Sequence, residues 1–179
     1  AGVRQADRPR TGAISVTNAI QSGMLVPIRV SQRVGPLRED FFIDLVDTEF
    51  VLRCRARGVR VLAAPGLRLD HSLGMQVPQH VFWLRLPGTL TVSAPFRYYY
   101  RARNRMALNR AYRGRFRLQR MKGSVADAIH FIRVVATSTP SRAMIRLLWR
   151  GVSDGRRGSL GRMDSALAPV AAEIRWRSR

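Results

Sequence analysis

Residues 39–58 constrain this chain more than any other stretch. Five of its 11 acidic residues, Glu39, Asp40, Asp44, Asp47 and Glu49, fall within that segment, against 32 basic residues overall. Asp44 or Asp47 suits a helix N-cap, and Glu49 then falls in the first turn, where the helix dipole favours negative charge. Val46, Phe50 and Cys54 recur at four-residue spacing with Val51 beside them, which predicts an apolar stripe facing a core. Arg53, Arg55 and Arg57 follow toward the C-terminal end, and Gly58 suits the position just past it. The three acids Asp44, Asp47 and Glu49 cannot all be caps. A chain this basic has no solubility reason to gather carboxylates, so the cluster points to holding a divalent cation, acting as a base or gripping hydroxyl groups.

The wider composition narrows the partners. With 179 residues, 46% of them apolar, the chain is one domain or part of a larger one, with enough apolar material for a packed core. A net charge of +21 implies an anionic partner: nucleic acid, an acidic membrane surface or a phosphorylated substrate. Lys122 is the single lysine and Cys54 the single cysteine, which excludes an internal disulfide and fits a reducing compartment. No apolar run reaches the roughly 20 residues that a membrane-spanning helix needs. The first residue is Ala1 rather than methionine, which predicts that the chain starts inside a longer gene product or has been processed.

Taken in order, residues 1–13 read as a loose segment. A strand is expected at 23–26, where Gly23 suggests a close approach or a tight turn. A short helix over 29–34 should stop at Gly35-Pro36, followed by a loop anchored by Phe41 and Phe42. Residues 59–64 read as a buried strand and 67–69 as a second, ending at Asp70-His71. Residues 75–90, broken by Pro78, Pro87 and Gly88, predict a flexible loop with a helical piece at 81–86. Helices are expected at 96–112, 125–136 and 142–152, the last two split by Thr139-Pro140, and the tail beyond Gly155 should be loose. That divides the chain into a main portion over 14–120 that carries the acidic cluster, amphipathic helices suited to face a membrane over 121–161 and a basic tail over 162–179.

His71 is one of three histidines. It follows Asp70 directly at a strand end, with Gly74 behind it, and is a metal-ligand candidate. A histidine ligand leans toward Mn²⁺ or a mixed site, whereas Mg²⁺ prefers oxygen.

These residues resemble a known family. Ser22-Gly23-Met24, then Phe42-Ile43-Asp44-Leu45-Val46-Asp47-Thr48-Glu49-Phe50, then Arg55-Ala56-Arg57-Gly58 and His71-Ser72-Leu73-Gly74, are similar to the second half of inverting family 2 glycosyltransferases. The bacterial rhamnosyltransferases are the branch most resembled. Pro95-Phe96-Arg97 with Tyr99-Tyr100 and Arg103-Asn104 resembles that branch's next motif, and Gly151 with Asp154-Gly155 and Gly158 its C-terminal signature. These motifs, in the right order, make the resemblance specific.

The resemblance implies an α/β fold: a partial GT-A nucleotide-sugar transferase domain, with an incomplete mixed sheet and flanking helices, followed by C-terminal amphipathic helices. It implies that Asp47 is the catalytic base and that Ser22, Gly23, Asp44 and Glu49 line the acceptor pocket. His71 would complete a Mg²⁺ or Mn²⁺ site. Arg97, Tyr99, Tyr100, Arg103 and Asn104 would contact the donor diphosphate or a lipid-linked acceptor. The implied partners are a nucleotide-sugar donor such as a deoxythymidine-diphosphate sugar and a glycan or lipid-linked acceptor. The implied place is the cytoplasmic face of the plasma membrane.

Two positions depart from the branch: Phe50 stands where it has Trp, and Ser93-Ala94-Pro95 where it has His-Ser-Pro. Nothing matches the family's first half, with its Asp-x-Asp motif, so the chain is expected to lack most of a donor site and to be inactive alone.

The arginine-aromatic segment 97–117 carries an alternative, a nucleic-acid-binding module that works by stacking and charge. The sequence holds no helix-turn-helix, zinc spacing or aromatic RNA-binding motif. Contact with anionic lipid or a lipid diphosphate is the favoured reading of the same charges.

Overall fold

The computed structural model describes residues 12–70, 74–81 and 84–177. The chain divides into two units, residues 1–38 with 46–72 and residues 39–45 with 73–179.

The first unit is built around two helices and a short ribbon. Strand β1 (Ile14–Ser15) pairs antiparallel with β2 (Leu62–Ala63). Helix α1 (Ile28–Val34) stops where Gly35 takes φ 83° and donates its N–H to Ser31. Helix α2 (Val46–Ala56) has Asp47 and Glu49 in its first turn and Arg53 and Arg55 in its last. Val34, Phe50 and Cys54 form the buried core, with Met24, Val30, Leu37, Val59 and Val61 packed on it.

Three sequence expectations fail here for local reasons. Residues 23–26 form no strand: Gly23 takes φ 74° in a turn closed by the Met24 N–H on the Gln21 carbonyl. What approaches Gly23 is the Leu69 side chain, 3.1 Å from where a Cβ would stand. Residues 59–64 are not a buried strand either. Only Leu62 and Ala63 pair, and alternate residues face solvent, as in a ribbon covered on one face. Leu67 and Leu69 are exposed and unstranded.

The second unit is larger. Strands β3 (Met75–Val81) and β4 (Leu84–Val92) form an antiparallel ribbon where a flexible loop with a helical piece was expected. Pro78 is accommodated because the register shifts between Pro78 and Gln79, a bulge, where a missing N–H does no harm. Gly74, at φ 102°, is obligatory: a Cβ there would collide with the Val92 carbonyl.

Three long helices follow, α3 (Phe96–Ala111), α4 (Arg117–Thr137) and α5 (Ser141–Arg157). The Thr139-Pro140 bond between the last two is cis. Strand β5 (Ser138–Thr139) pairs with β6 (Arg175–Trp176), reached through a 3-10 turn, Ser165–Leu167, and helix α6 (Ala168–Glu173). Residues beyond Gly155 are therefore not a loose tail. Leu167, Ala171 and Ile174, at spacings of four and three, seal the core with Tyr98, Val134, Met144 and Leu147. Asp164 caps the turn by accepting the Ala166 N–H.

All strand pairing among the described residues is antiparallel, in three two-stranded sheets, so the expected mixed sheet is absent from them. The fold is α and β mixed, with small sheets and several helices. The amphipathic reading of the C-terminal helices also needs revision by residue. Leu147 is fully buried, and Phe131 and Leu148 pack on the core, whereas Ile129, Ile132, Ile145 and Trp149 face solvent. No helix among the described residues is long and apolar enough to cross a membrane.

Helices α3 and α5 meet backbone to backbone. A Cβ on Gly151 would collide with the Tyr99 carbonyl, and one on Gly155 with the Arg103 carbonyl. The four-residue step is the same on both helices, so the rows interlock as ridges in grooves. Gly155→Val is expected to destabilise the chain by about 1–3 kcal/mol through forced separation of the two helices. Thermal melting followed by circular dichroism checks this, and an unchanged melting temperature would show that the seam yields freely.

Candidate functional site

In the second unit, the site begins with residues 39–45. Glu39–Phe41 forms a 3-10 turn whose Phe41 is wholly buried. Phe42, Asp44 and Leu45 all take left-handed φ values, of 61°, 64° and 61°. Non-glycine residues in that region cost about 1–3 kcal/mol each and persist only where their surroundings dictate them.

Here the surroundings are two adjacent residues of α3, both with no solvent exposure, Arg103 and Asn104. The Asn104 amide nitrogen donates to the carbonyls of Phe41, Ile43 and Asp44 at 2.9, 2.8 and 2.8 Å. Arg103 donates to the carbonyls of Asp40, Phe41 and Gly161 at 3.1, 3.0 and 2.5 Å, and to Asn104 Oδ1 at 3.0 Å. Gly161 returns its own N–H to the Asp40 carbonyl. The loop is thus bound by its main chain, whatever side chains it carries.

What the loop presents is Asp44. Its two carboxylate oxygens accept from Arg97 Nη2 and Nε at 2.9 and 3.0 Å, a bidentate pair. Arg97 is the one member of the expected ligand-contact group that reaches the surface. Tyr99 and Tyr100 are interior, with the Arg103 guanidinium 5.6 and 4.9 Å from their ring centroids. The Tyr99 hydroxyl donates to Asp154 at 2.8 Å, and burial, then that carboxylate, push its pKa up to about 12. The Tyr100 hydroxyl accepts the Met163 N–H. Tyr98 is interior as well, so α3 offers no row of exposed aromatic rings for bases to stack on.

In the first unit, Asp47 lies in the opening turn of α2, partly buried, with Oδ1 accepting the Thr48 N–H at 2.6 Å. Glu49 is buried and pairs with Arg53 at 2.9 Å, while Arg53 also holds the Val34 carbonyl. Ser22 is exposed beside the Gly23 turn. Burial raises the Cys54 pKa, which leaves it an inert thiol. The structure therefore binds Asp44 to Arg97 and the Arg103-Asn104 pair, and it places Asp47, Glu49, Ser22 and Gly23 in the other unit. His71 lies outside the described residues.

A hard divalent cation needs several oxygen ligands. Asp44 and Glu49 already serve arginines, and among the described residues no three His, Cys, Asp or Glu side chains gather to hold an ion. The described residues do not make up the expected Mg²⁺ or Mn²⁺ site.

One buried acid, Asp127, escaped the sequence reading, and another, Asp154, entered it only as part of a motif. Asp127 of α4, 2% exposed, accepts from Arg105 Nε at 2.6 Å and Arg101 Nε at 2.8 Å. Asp154 of α5 accepts from Tyr99 and from Arg150. A signal for the first was present: Arg101 and Arg105 share one face of α3, Gly123 and Asp127 one face of α4, and a Cβ on Gly123 would strike the Arg105 guanidinium.

Comparison with known proteins agrees with the resemblance. The chain is 31% identical over 142 residues to the dTDP-rhamnosyl transferase RfbF of Shigella flexneri, across 79% of this chain and 46% of that protein. It thus spans about half the length of the curated relative it matches. No family model matches the chain. No solved structure matches it.

Proposed function

We propose that this chain is the acceptor-side, catalytic half of an inverting glycosyltransferase of family 2, which moves rhamnose from its deoxythymidine diphosphate to a cell-envelope glycan or a lipid-linked acceptor. The observation that carries the reading is the similarity to a rhamnosyl transferase over most of the chain. The left-handed loop fixed from below by Arg103 and Asn104 adds to it, because strain held so firmly belongs with a working surface. On this reading the small sheets and helices are part of a GT-A domain. Nucleic-acid binding loses its main support, since the α3 tyrosines turn inward.

The chemistry assigned to the residues is simple. Asp47, in the first turn of α2, takes the proton of an acceptor hydroxyl. The freed oxygen attacks the anomeric carbon from the face opposite the diphosphate. The bond from that carbon to the diphosphate oxygen breaks, and the nucleoside diphosphate leaves with the electron pair. Asp44 grips acceptor hydroxyls in an orientation set by Arg97, and Glu49 keeps the first turn of α2 in place through Arg53. Arg103, Asn104, Tyr99 and Tyr100 act as positioning residues for the loop.

In the full-length transferase, Asp47→Asn should leave donor affinity unchanged and lower turnover by about 10²-fold or more. Release of deoxythymidine diphosphate in the presence of acceptor measures it. Turnover close to that of the wild type would take Asp47 out of the role, and a full-length protein that neither binds nor hydrolyses deoxythymidine-diphosphate rhamnose would overturn the reading itself.

A further inference from the structure

Helix α4 has two faces of opposite character. The inner face carries Asp127 and Val134, both buried. The outer face carries Leu118, Met121, Val125, Ile129 and Ile132, at successive spacings of three, four, four and three residues. That spacing stacks them in one line along the helix. Their exposures run from 47% at Ile129 to 68% at Ile132, so none of the described residues covers the line.

Basic residues border it. At about 100° per residue, Arg117 falls on one edge, and Lys122 and Arg133 on the other. All three are exposed. The outer face has no carboxylate, because the single acid of the helix, Asp127, points inward to Arg101 and Arg105. The helix has 21 residues and is thus roughly 30 Å long, yet only one side is apolar. An apolar line with cationic borders is the arrangement of a helix that lies in the plane of a bilayer surface.

We propose that the outer face of α4 is a docking surface for an anionic lipid bilayer. Leu118, Met121, Val125, Ile129 and Ile132 enter the acyl boundary, while Arg117, Lys122 and Arg133 meet headgroup phosphates. Charge selects this occupant over a second copy of the chain. Two copies of +21 would bring like borders together, whereas lipid phosphates neutralise them. The surface stands apart from the proposed reaction, and neither depends on the other.

Flotation of the chain with vesicles tests it. Binding is expected to vesicles of phosphatidylglycerol and phosphatidylcholine, but not to phosphatidylcholine alone, and should weaken as salt is raised. Val125→Glu/Ile129→Glu should lower the partition coefficient by about 10-fold or more. Arg117→Glu/Arg133→Glu should lower it by roughly 5-fold for each cation removed. Both pairs are on the surface, so circular dichroism should show an unchanged fold. A chain that stays in buffer with both vesicle types overturns the proposal. So does a Val125→Glu/Ile129→Glu variant that binds like the wild type, and so does a concentration-dependent dimer that this variant abolishes, which would give the face to a second copy.

Discussion

Arg103→Met is expected to lower the stability of the chain by about 3 kcal/mol or more, since each buried polar group stripped of its partner costs about 1–3 kcal/mol. Methionine nearly matches the volume of arginine, so the loss is not one of packing. The Gly161 carbonyl and Asn104 Oδ1 lose the donor they have, and the carbonyls of Asp40 and Phe41 each lose one donor and keep another. Among the described residues Arg103 pairs with no carboxylate; these dipoles and the faces of Tyr99 and Tyr100 support its charge. Lysine cannot substitute, because one ammonium on a flexible stem lacks the planar fork that spans carbonyls on two segments. Urea unfolding of Arg103→Met and Arg103→Lys measures the effect. A loss under about 1 kcal/mol in the methionine variant would mean that the loop holds its shape without the clamp.

Asp127→Ala should be at least as damaging. Removing one partner of a buried ion pair typically costs about 3–5 kcal/mol, because the other charge stays behind uncompensated. Arg105 is that residue here, its side chain only 9% exposed; Arg101, at 36%, can turn to water and contributes less. The double variant Asp127→Ala/Arg105→Met removes both buried charges and should be more stable than Asp127→Ala alone. That inversion separates electrostatics from the cavity left by the carboxylate, as a double-mutant cycle is built to do. If the second substitution only adds to the damage, the pair is not what ties α3 to α4.

Much of the helical architecture was legible. Helix α2 showed itself by the recurrence of Val46, Phe50 and Cys54 and by Gly58, which takes φ 72° beyond its end. Helix α3 ran almost as its pattern predicted. The β3-β4 ribbon was hidden by Pro78, Pro87 and Gly88, residues that usually break structure; a bulge and a two-stranded ribbon with free edges tolerate them. The helix over 125–136 was read too short, because Arg117, Arg120 and Lys122 masked the start of α4. With the start went Leu118 and Met121, two of the five residues of the outer apolar line.

The site was legible in its residue types and not in its wiring. Asp44 was singled out as an acid of a cluster, but its partner Arg97 lies 53 positions away. Arginines in so basic a chain read as solvated or as reaching for a ligand. Nothing in the sequence marks Arg103 as the one turned fully inward. Nor does any local pattern show that Phe42, Asp44 and Leu45 adopt a conformation usually left to glycine.

The loop clamp also bears on how the chain comes to be folded. Residues 39–45 belong to the second unit, yet they are made before α2, and their anchors Arg103 and Asn104 emerge some 60 positions later. Until then the loop has no source for the contacts that fix it, and its unstrained conformers should prevail. Closing so long a stretch of chain is the kind of step that slows folding. The order of synthesis therefore runs against the order of assembly: the segment that carries Asp44 is made well before the helix that fixes it, and takes its shape only after that helix.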